Sequence, residues 1–136
     1  MKPAPDTQDY SILITDDDGN CRETLREIVE PKGFRTLLAS SGEEAVDIVR
    51  ADPVHLVLLD MHMPSLTGLE TLRLVRQINR MLPCILVTGD ADQHLMREAY
   101  QAQVYSVIPK PINRHEVLYT IIRALRRFYG LPEGGR

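Results

Sequence analysis

The stretch VHLVLLDMHMPSLTGLE, residues 54–70, holds the transition on which the fold turns. Residues 54–59 are nearly continuous in Leu and Val, and the run stops at Asp60. A short segment that is apolar on both faces suits a strand covered on each side, as in a parallel sheet flanked by helices. Beyond Pro64, Thr67 stands ahead of Leu69, Leu72, Val75 and Ile78, a spacing of helical period. A buried strand, a turn and an amphipathic helix make half of a βαβ unit.

The same alternation extends in both directions. Apolar runs at 11–15 (SILIT), 34–38 (FRTLL), 84–88 (CILVT) and 104–108 (VYSVI) predict four more strands. The runs at 11–15 and 84–88 share the continuous pattern of 54–59. The other two carry more polar residues, as outer strands do. Helices are expected after Asn20 (Leu25, Ile28, Val29), ending at Pro31 and Gly33, and after Ser41, with Glu44 as its capping-box partner. Asp90 or Asp92 starts a fourth and Asn113 caps a fifth, with Val117, Leu118, Ile121, Ile122 and Leu125 as its buried stripe. Five strands in strict alternation with five helices predict an α/β fold. It is a doubly wound five-stranded parallel sheet with helices on both faces and right-handed crossovers. In such folds the working crevice lies at the carboxyl ends of the strands.

Those ends carry the chemistry. The first strand runs out into Asp16, Asp17 and Asp18, the third into Asp60, the fourth into Thr88 and the fifth into Lys110. A single Asp at a strand end often only caps a helix, and Asp18 reads most easily as solvent-facing. Several carboxylates in one crevice repel one another and need protons, Lys110 or a cation to offset them. An all-oxygen ligand set favours a hard cation, and Mg2+ fits. Asp60, alone at the end of an apolar strand, is the candidate nucleophile, since a carboxylate accepts a phosphoryl group as an aspartyl phosphate. The lysine and the metal would offset charge on the transferring oxygens.

In this order and spacing, ILITDDDGNCRETL, VHLVLLDMHMPSLTGLE, ILVTGD and VIPKP resemble the receiver domains of two-component response regulators over nearly the whole chain. The resemblance implies a flavodoxin-like strand order, 2-1-3-4-5. It implies Asp60 as phosphoacceptor and metal ligand, Asp17 as a direct Mg2+ ligand, and Asp16 as a ligand mainly through water. The His62 backbone carbonyl would reach the metal while its side chain points outward. Thr88 and Lys110 would contact the phosphoryl group. The Lys110–Pro111 bond would be cis, and Pro64 and Gly68 would shape the loop before the third helix. The implied partner is a sensor histidine kinase or phosphotransfer protein. Signalling would run through the face of the fourth helix, fifth strand and fifth helix, with Gln93, Arg97, Tyr100, Tyr105, Arg114, Arg123 and Arg127, where a homodimer would also form.

The chain departs from the family pattern at Val107, where most members carry Tyr or Phe three residues before the lysine. A β-branched side chain has few rotamers and no ring to swing. Tyr105, by period two, is expected on the same side of the strand as Val107. Gln103-Val104 replaces the usual Gly-Ala, and Pro109 precedes the lysine.

The bulk numbers fit one domain. The 136 residues are 43% hydrophobic, with a formal net charge of −3. That balance favours neither direct nucleic-acid binding nor an anionic membrane. Cys21 and Cys84 have no metal-like spacing and read as small, partly buried thiols in a reducing, cytoplasmic setting. The expected organisation is a flexible tail at 1–9, the receiver domain at 10–129, and a tail or linker at 130–136. A metal-dependent enzyme acting on small molecules is disfavoured, because little chain is left for a substrate-binding cap. The alternative is a degenerate receiver, a protein-binding module that never takes phosphate.

Overall fold

The structure is a computed structural model and describes residues 6–131. Most of the C-terminal tail and the first five residues of the N-terminal tail lie outside the described residues. The strands are β1 (Ser11–Thr15), β2 (Arg35–Ala39), β3 (Leu56–Asp60), β4 (Cys84–Thr88) and β5 (Ser106–Pro109). The helices are α1 (Gly19–Val29), α2 (Gly42–Ala51), α3 (Gly68–Ile78), α4 (Gln93–Gln101) and α5 (Arg114–Tyr129). Single 3₁₀ turns lie at Thr7–Asp9 and Glu30–Lys32. All pairings are parallel, in the order β2-β1-β3-β4-β5. The expected architecture and order are therefore both present.

Alternation along the strands divides the core into two layers. Ile12, Ile14, Leu58, Ile85, Val87 and Ile108 pack towards α1 and α5, against Leu25, Ile121 and Leu125. Leu13, Val57, Leu59 and Leu86 pack towards α2, α3 and α4, against Ala45, Leu72 and Leu95. The residues of β1, β3 and β4 are all buried, which is why these three read as continuous apolar runs.

Helix starts follow side-chain chemistry. Thr67 and Glu70 form a reciprocal capping box on α3. Asn113 accepts from the Glu116 N–H on α5, and Asp92, rather than Asp90, accepts from Leu95 on α4. Ser41 caps α2, but the expected box is not closed: Glu44 turns back to the N–H and hydroxyl of Ser40 instead. Asp18 is exposed, as expected, yet it also caps α1 by accepting from Asn20 N–H, so α1 starts one residue before Asn20. Gly33 takes φ 96°, the left-handed geometry that ends the turn after α1.

Three strands sit one or two residues later than expected, at Arg35–Ala39, Leu56–Asp60 and Ser106–Pro109. The shift at β5 has a physical cause. Gln103 adopts φ 65°, and the Val104 N–H donates to Ala99 O, closing the end of α4. Tyr105 thus lies before the strand, and its ring packs in the α1/α5 layer, edge-on to Phe128 at 6.0 Å. Val107 packs in the other layer, paired with Leu86. The expectation that Tyr105 and Val107 share a side is corrected: period two does not extend back through the Gln103 turn.

A second tie joins distant parts of the chain. His55 Nδ1 accepts from the Ser11 N–H at 3.0 Å, and the Tyr129 hydroxyl donates to His55 O at 2.8 Å. Tyr10 and Tyr129 each lie 5.3 Å from the His55 ring. No helix of the described residues is long and apolar enough to cross a membrane.

Candidate functional site

At the carboxyl ends of β1 and β3, carboxylate oxygens of Asp16, Asp17 and Asp60 all lie within 4.8 Å of one another. Asp60 is the last residue of β3, opposite Val87, and the ladder continues as Met61 N–H donates to Val87 O. Asp16 follows β1 directly and is held by its own N–H to Ala39 O. Strand ends of a parallel sheet therefore bring the three acids together, although they are far apart in sequence.

Their environments differ. Asp16 and Asp60 are buried, whereas Asp17 is exposed. Asp16 Oδ1 accepts from Asp18 N–H at 2.9 Å, but its buried Oδ2 has no hydrogen-bond donor. Burial pushes the Asp16 carboxyl above its ordinary range; the Asp18 N–H works against this, and the nearby Asp60 charge adds to it. Lys110 Nζ stands 2.8 Å from Asp60 Oδ1 and 3.9 Å from Asp16 Oδ2. Burial alone would lower the lysine's affinity for its proton. The carboxylates of Asp60 and Asp16 outweigh that and hold it above its ordinary range. One ammonium thus faces three carboxylates, and the surplus is negative. An acceptor oxygen without a donor, in an all-oxygen cluster, fits a hard divalent cation.

Thr88 ends β4, beside the strand of Asp60, and is buried; its Oγ1 accepts from the Asp90 N–H at 3.1 Å. Lys110 is anchored by its N–H to Thr88 O at 2.8 Å, and the Lys110–Pro111 bond is cis. The His62 and Pro64 side chains are exposed, and Ser65 after them takes φ 67°. Gly68 lies against the site: its N–H donates to Met61 O at 2.9 Å. Val107 is set apart from the acids, beside Leu86 and one same-face step behind Thr88.

Two residues lie near the site that the sequence alone does not place there. Arg22 Nη1 donates to the backbone oxygen of Asp16 at 2.6 Å, pinning the turn that carries the acidic pair. Cys21 lies beside Asp16, and burial raises its thiol above the usual range, with the Asp16 charge adding to it. Neither contact has a sequence signature, since both depend on where α1 leaves β1.

The family model of the response regulator receiver domain matches residues 12–122. The chain belongs to that family. This receiver domain is 34% identical over 116 residues to Transcriptional regulatory protein CpxR of Escherichia coli (strain K12), covering 85% of this chain and 49% of that protein. It thus spans about half the length of that relative. Sporulation initiation phosphotransferase F of Bacillus subtilis (strain 168) is 31% identical over 106 residues, covering 78% of this chain and 86% of that one. Among solved structures, the CheY-like receiver domain protein from Methanospirillum hungatei JF-1 superposes with a TM-score of 0.84. Its identity is 26%, over 87% of this chain and 94% of that chain. The function that goes with this receiver domain is phosphotransfer switching, and its acidic cluster is arranged for phosphoryl and divalent-metal coordination.

Proposed function

We propose that Asp60 is the phosphoacceptor of this receiver domain and that the resident cation is Mg2+. The observation that carries this is the cluster of Asp16, Asp17 and Asp60 within 4.8 Å, with Lys110 Nζ 2.8 Å from Asp60. Asp17, Asp60 and the His62 backbone carbonyl would hold the metal, with Asp16 acting mainly through water. Bound there, Mg2+ would supply positive charge that lowers the repulsion between the incoming phosphoryl group and the carboxylates. A carboxylate oxygen of Asp60 attacks phosphorus as the bond from phosphorus to the donor imidazole nitrogen breaks. The imidazole leaves with the electron pair. The donor is a phosphohistidine of a sensor kinase or phosphotransfer protein. Lys110 moves with the new phosphoryl oxygens, and the Thr88 hydroxyl, whose oxygen accepts from Asp90 N–H, donates its own hydrogen to one of them. Because the reacting side chain belongs to the protein itself, this is not turnover in the ordinary enzymatic sense.

The switched surface is formed by α4, β5 and α5, and a homodimer through it belongs to the same proposal. Gln93, Arg97, Tyr100, Arg114, Arg123 and Arg127 are exposed there, which supports the reading. Val107 favours a second reading, a binding module that works without phosphorylation, since no ring stands where the switching aromatic is expected.

Intact mass during incubation with Mg2+ and a small phosphoryl donor tests the two. The expected result is one added phosphoryl group in the wild type and none in Asp60→Asn. No addition to the wild type, with no response to Mg2+, selects the second reading.

A further inference from the structure

A second concavity lies at the other end of the sheet from the acids. Its volume is about 610 Å³, and it is walled by the end of α3, the turn after it, the approach to β5 and the last turns of α5. Four guanidinium groups line it, those of Arg76, Arg80, Arg123 and Arg127. No carboxylate lines it, and none of the four arginines forms an ion pair among the described residues. Lack of an ion pair does not by itself set them apart. Arg73 pairs with Glu98 at 3.0 Å and Arg26 with Glu23 and Glu30, but exposed Arg35, Arg50, Arg97 and Arg114 form none among the described residues either, so the distinguishing feature is convergence on one hollow.

Arginines along one helix usually do no more than hold water. Here they come from three separate elements and converge on one hollow, in a chain whose net charge is −3. Carbonyl oxygens of the wall offset part of the charge on Arg76 alone, and no carboxylate of the wall offsets that of Arg80, Arg123 and Arg127, so an anion entering the hollow is attracted. Arg76 is spent on the protein itself, donating to Asn79 O at 3.3 Å, Leu82 O at 2.5 Å and Gln103 O at 2.8 Å, so it backs the hollow with charge while the other three arginines keep free N–H groups among the described residues. The exposed guanidinium forks of Arg80, Arg123 and Arg127 suit phosphate oxygens, which such forks meet in pairs. Aromatic surface completes the hollow. The Tyr119 ring is 64% exposed, with the Arg123 guanidinium carbon 5.5 Å from its centre, and Tyr105 stands edge-on to Phe128. The volume falls within the range of roughly 300–1,000 Å³ common for small-molecule sites.

We propose that this pocket binds a compact ligand with adjacent phosphate groups, of the nucleoside triphosphate class. The phosphates lie on the arginines and the base lies against Tyr119. The site is independent of Asp60, and its occupancy adds a small-molecule input at the β5–α5 face.

The test is a titration in chelator, which leaves the acidic crevice without a cation, using ATP, inorganic tripolyphosphate and a glutamate-rich peptide. Amide shifts and calorimetry report binding, and thermal unfolding confirms that each variant is folded. The expected result is saturable ATP binding with shifts at residues 103–106 and 119–128, unchanged in Asp60→Asn. In Arg80→Ser/Arg123→Ser the affinity falls by about tenfold or more, equivalent to about 1.4 kcal/mol. Tripolyphosphate binding as tightly as ATP keeps the phosphate site and assigns it to an inorganic ligand. The proposal is overturned if neither phosphate probe saturates, if the folded double variant binds as tightly, or if the glutamate peptide matches the phosphates.

Discussion

A methyl group placed on the α-carbon of Gly68 would lie 2.4 Å from the carbonyl oxygen of Asp60 and 2.8 Å from the α-carbon of Met61. The start of α3 therefore rests directly on the backbone that carries the central carboxylate. Gly68→Ala must push one of them away, because two of the obstructing atoms are backbone. The expected cost is about 1–3 kcal/mol of stability, as for other overpacked sites, together with slower modification of Asp60. Chemical denaturation and a phosphorylation time course check both halves. An Ala variant as stable and as fast as the wild type would contradict the contact.

Asp16 and Asp17 should respond differently to loss of charge. Asp17 is exposed, so Asp17→Asn leaves the unfolding midpoint in chelator near that of the wild type and weakens Mg2+ binding. Asp16 is buried beside Asp60, so Asp16→Asn relieves repulsion and raises the midpoint in chelator, while reducing the rise that Mg2+ gives. Thermal unfolding with and without Mg2+ separates the two.

His55 should make stability depend on pH. Burial lowers its affinity for a proton and the nearby Arg35 adds to this, while Nδ1 accepts from Ser11 N–H and so must be unprotonated. The folded value lies below that of the unfolded chain, so the contribution is fully present above about pH 6.5. It is lost as pH falls from there through the folded value. Urea midpoints measured across that window should fall towards acid, and the slope should be smaller in His55→Ala. Equal slopes would remove His55 as the cause.

The thiols should differ in reactivity. Cys84 is fully buried, and burial pushes its thiol up to about 11. Cys21 is partly exposed. A thiol reagent at neutral pH should label Cys21 alone, with Cys84 following only on unfolding. Peptide mass mapping reads the order.

The response to phosphorylation should reach the α4–β5–α5 surface through the β4–α4 loop and α4, with little rearrangement of β5 itself. Val107 packs beside Leu86 without a ring to reorient, whereas Thr88 bonds directly to the Asp90 N–H. Amide shifts on adding beryllofluoride and Mg2+ should be large at residues 88–92 and small at 105–107. Large shifts at β5 would show that the valine transmits after all.

Much of this was legible because local rules and the global fold agree. The run at 54–59, the Thr67–Glu70 cap and the acids at two strand ends each have a signature of one residue type at one spacing. The failures share a cause. The side taken by Tyr105 depends on the left-handed turn at Gln103, which a non-glycine residue does not advertise. Glu44 reaching Ser40, and Arg22 reaching Asp16, depend on how the chain enters a helix, not on spacing. Of the pocket arginines, only Arg123 and Arg127 are sequence neighbours on a helix face; Arg76 and Arg80 join them through the fold alone.

Carboxylates at one end of the sheet and arginines at the other give this small acidic domain an electrical polarity. A five-residue strand is only about 17 Å long, so the two poles are close enough to act on one approaching partner. The long-range field turns the domain before contact: a basic surface meets the acid-bearing pole first, and an acidic one meets the guanidinium pole. Salt flattens both preferences, so encounter rates at either pole should decline with ionic strength even where the final contacts are unchanged.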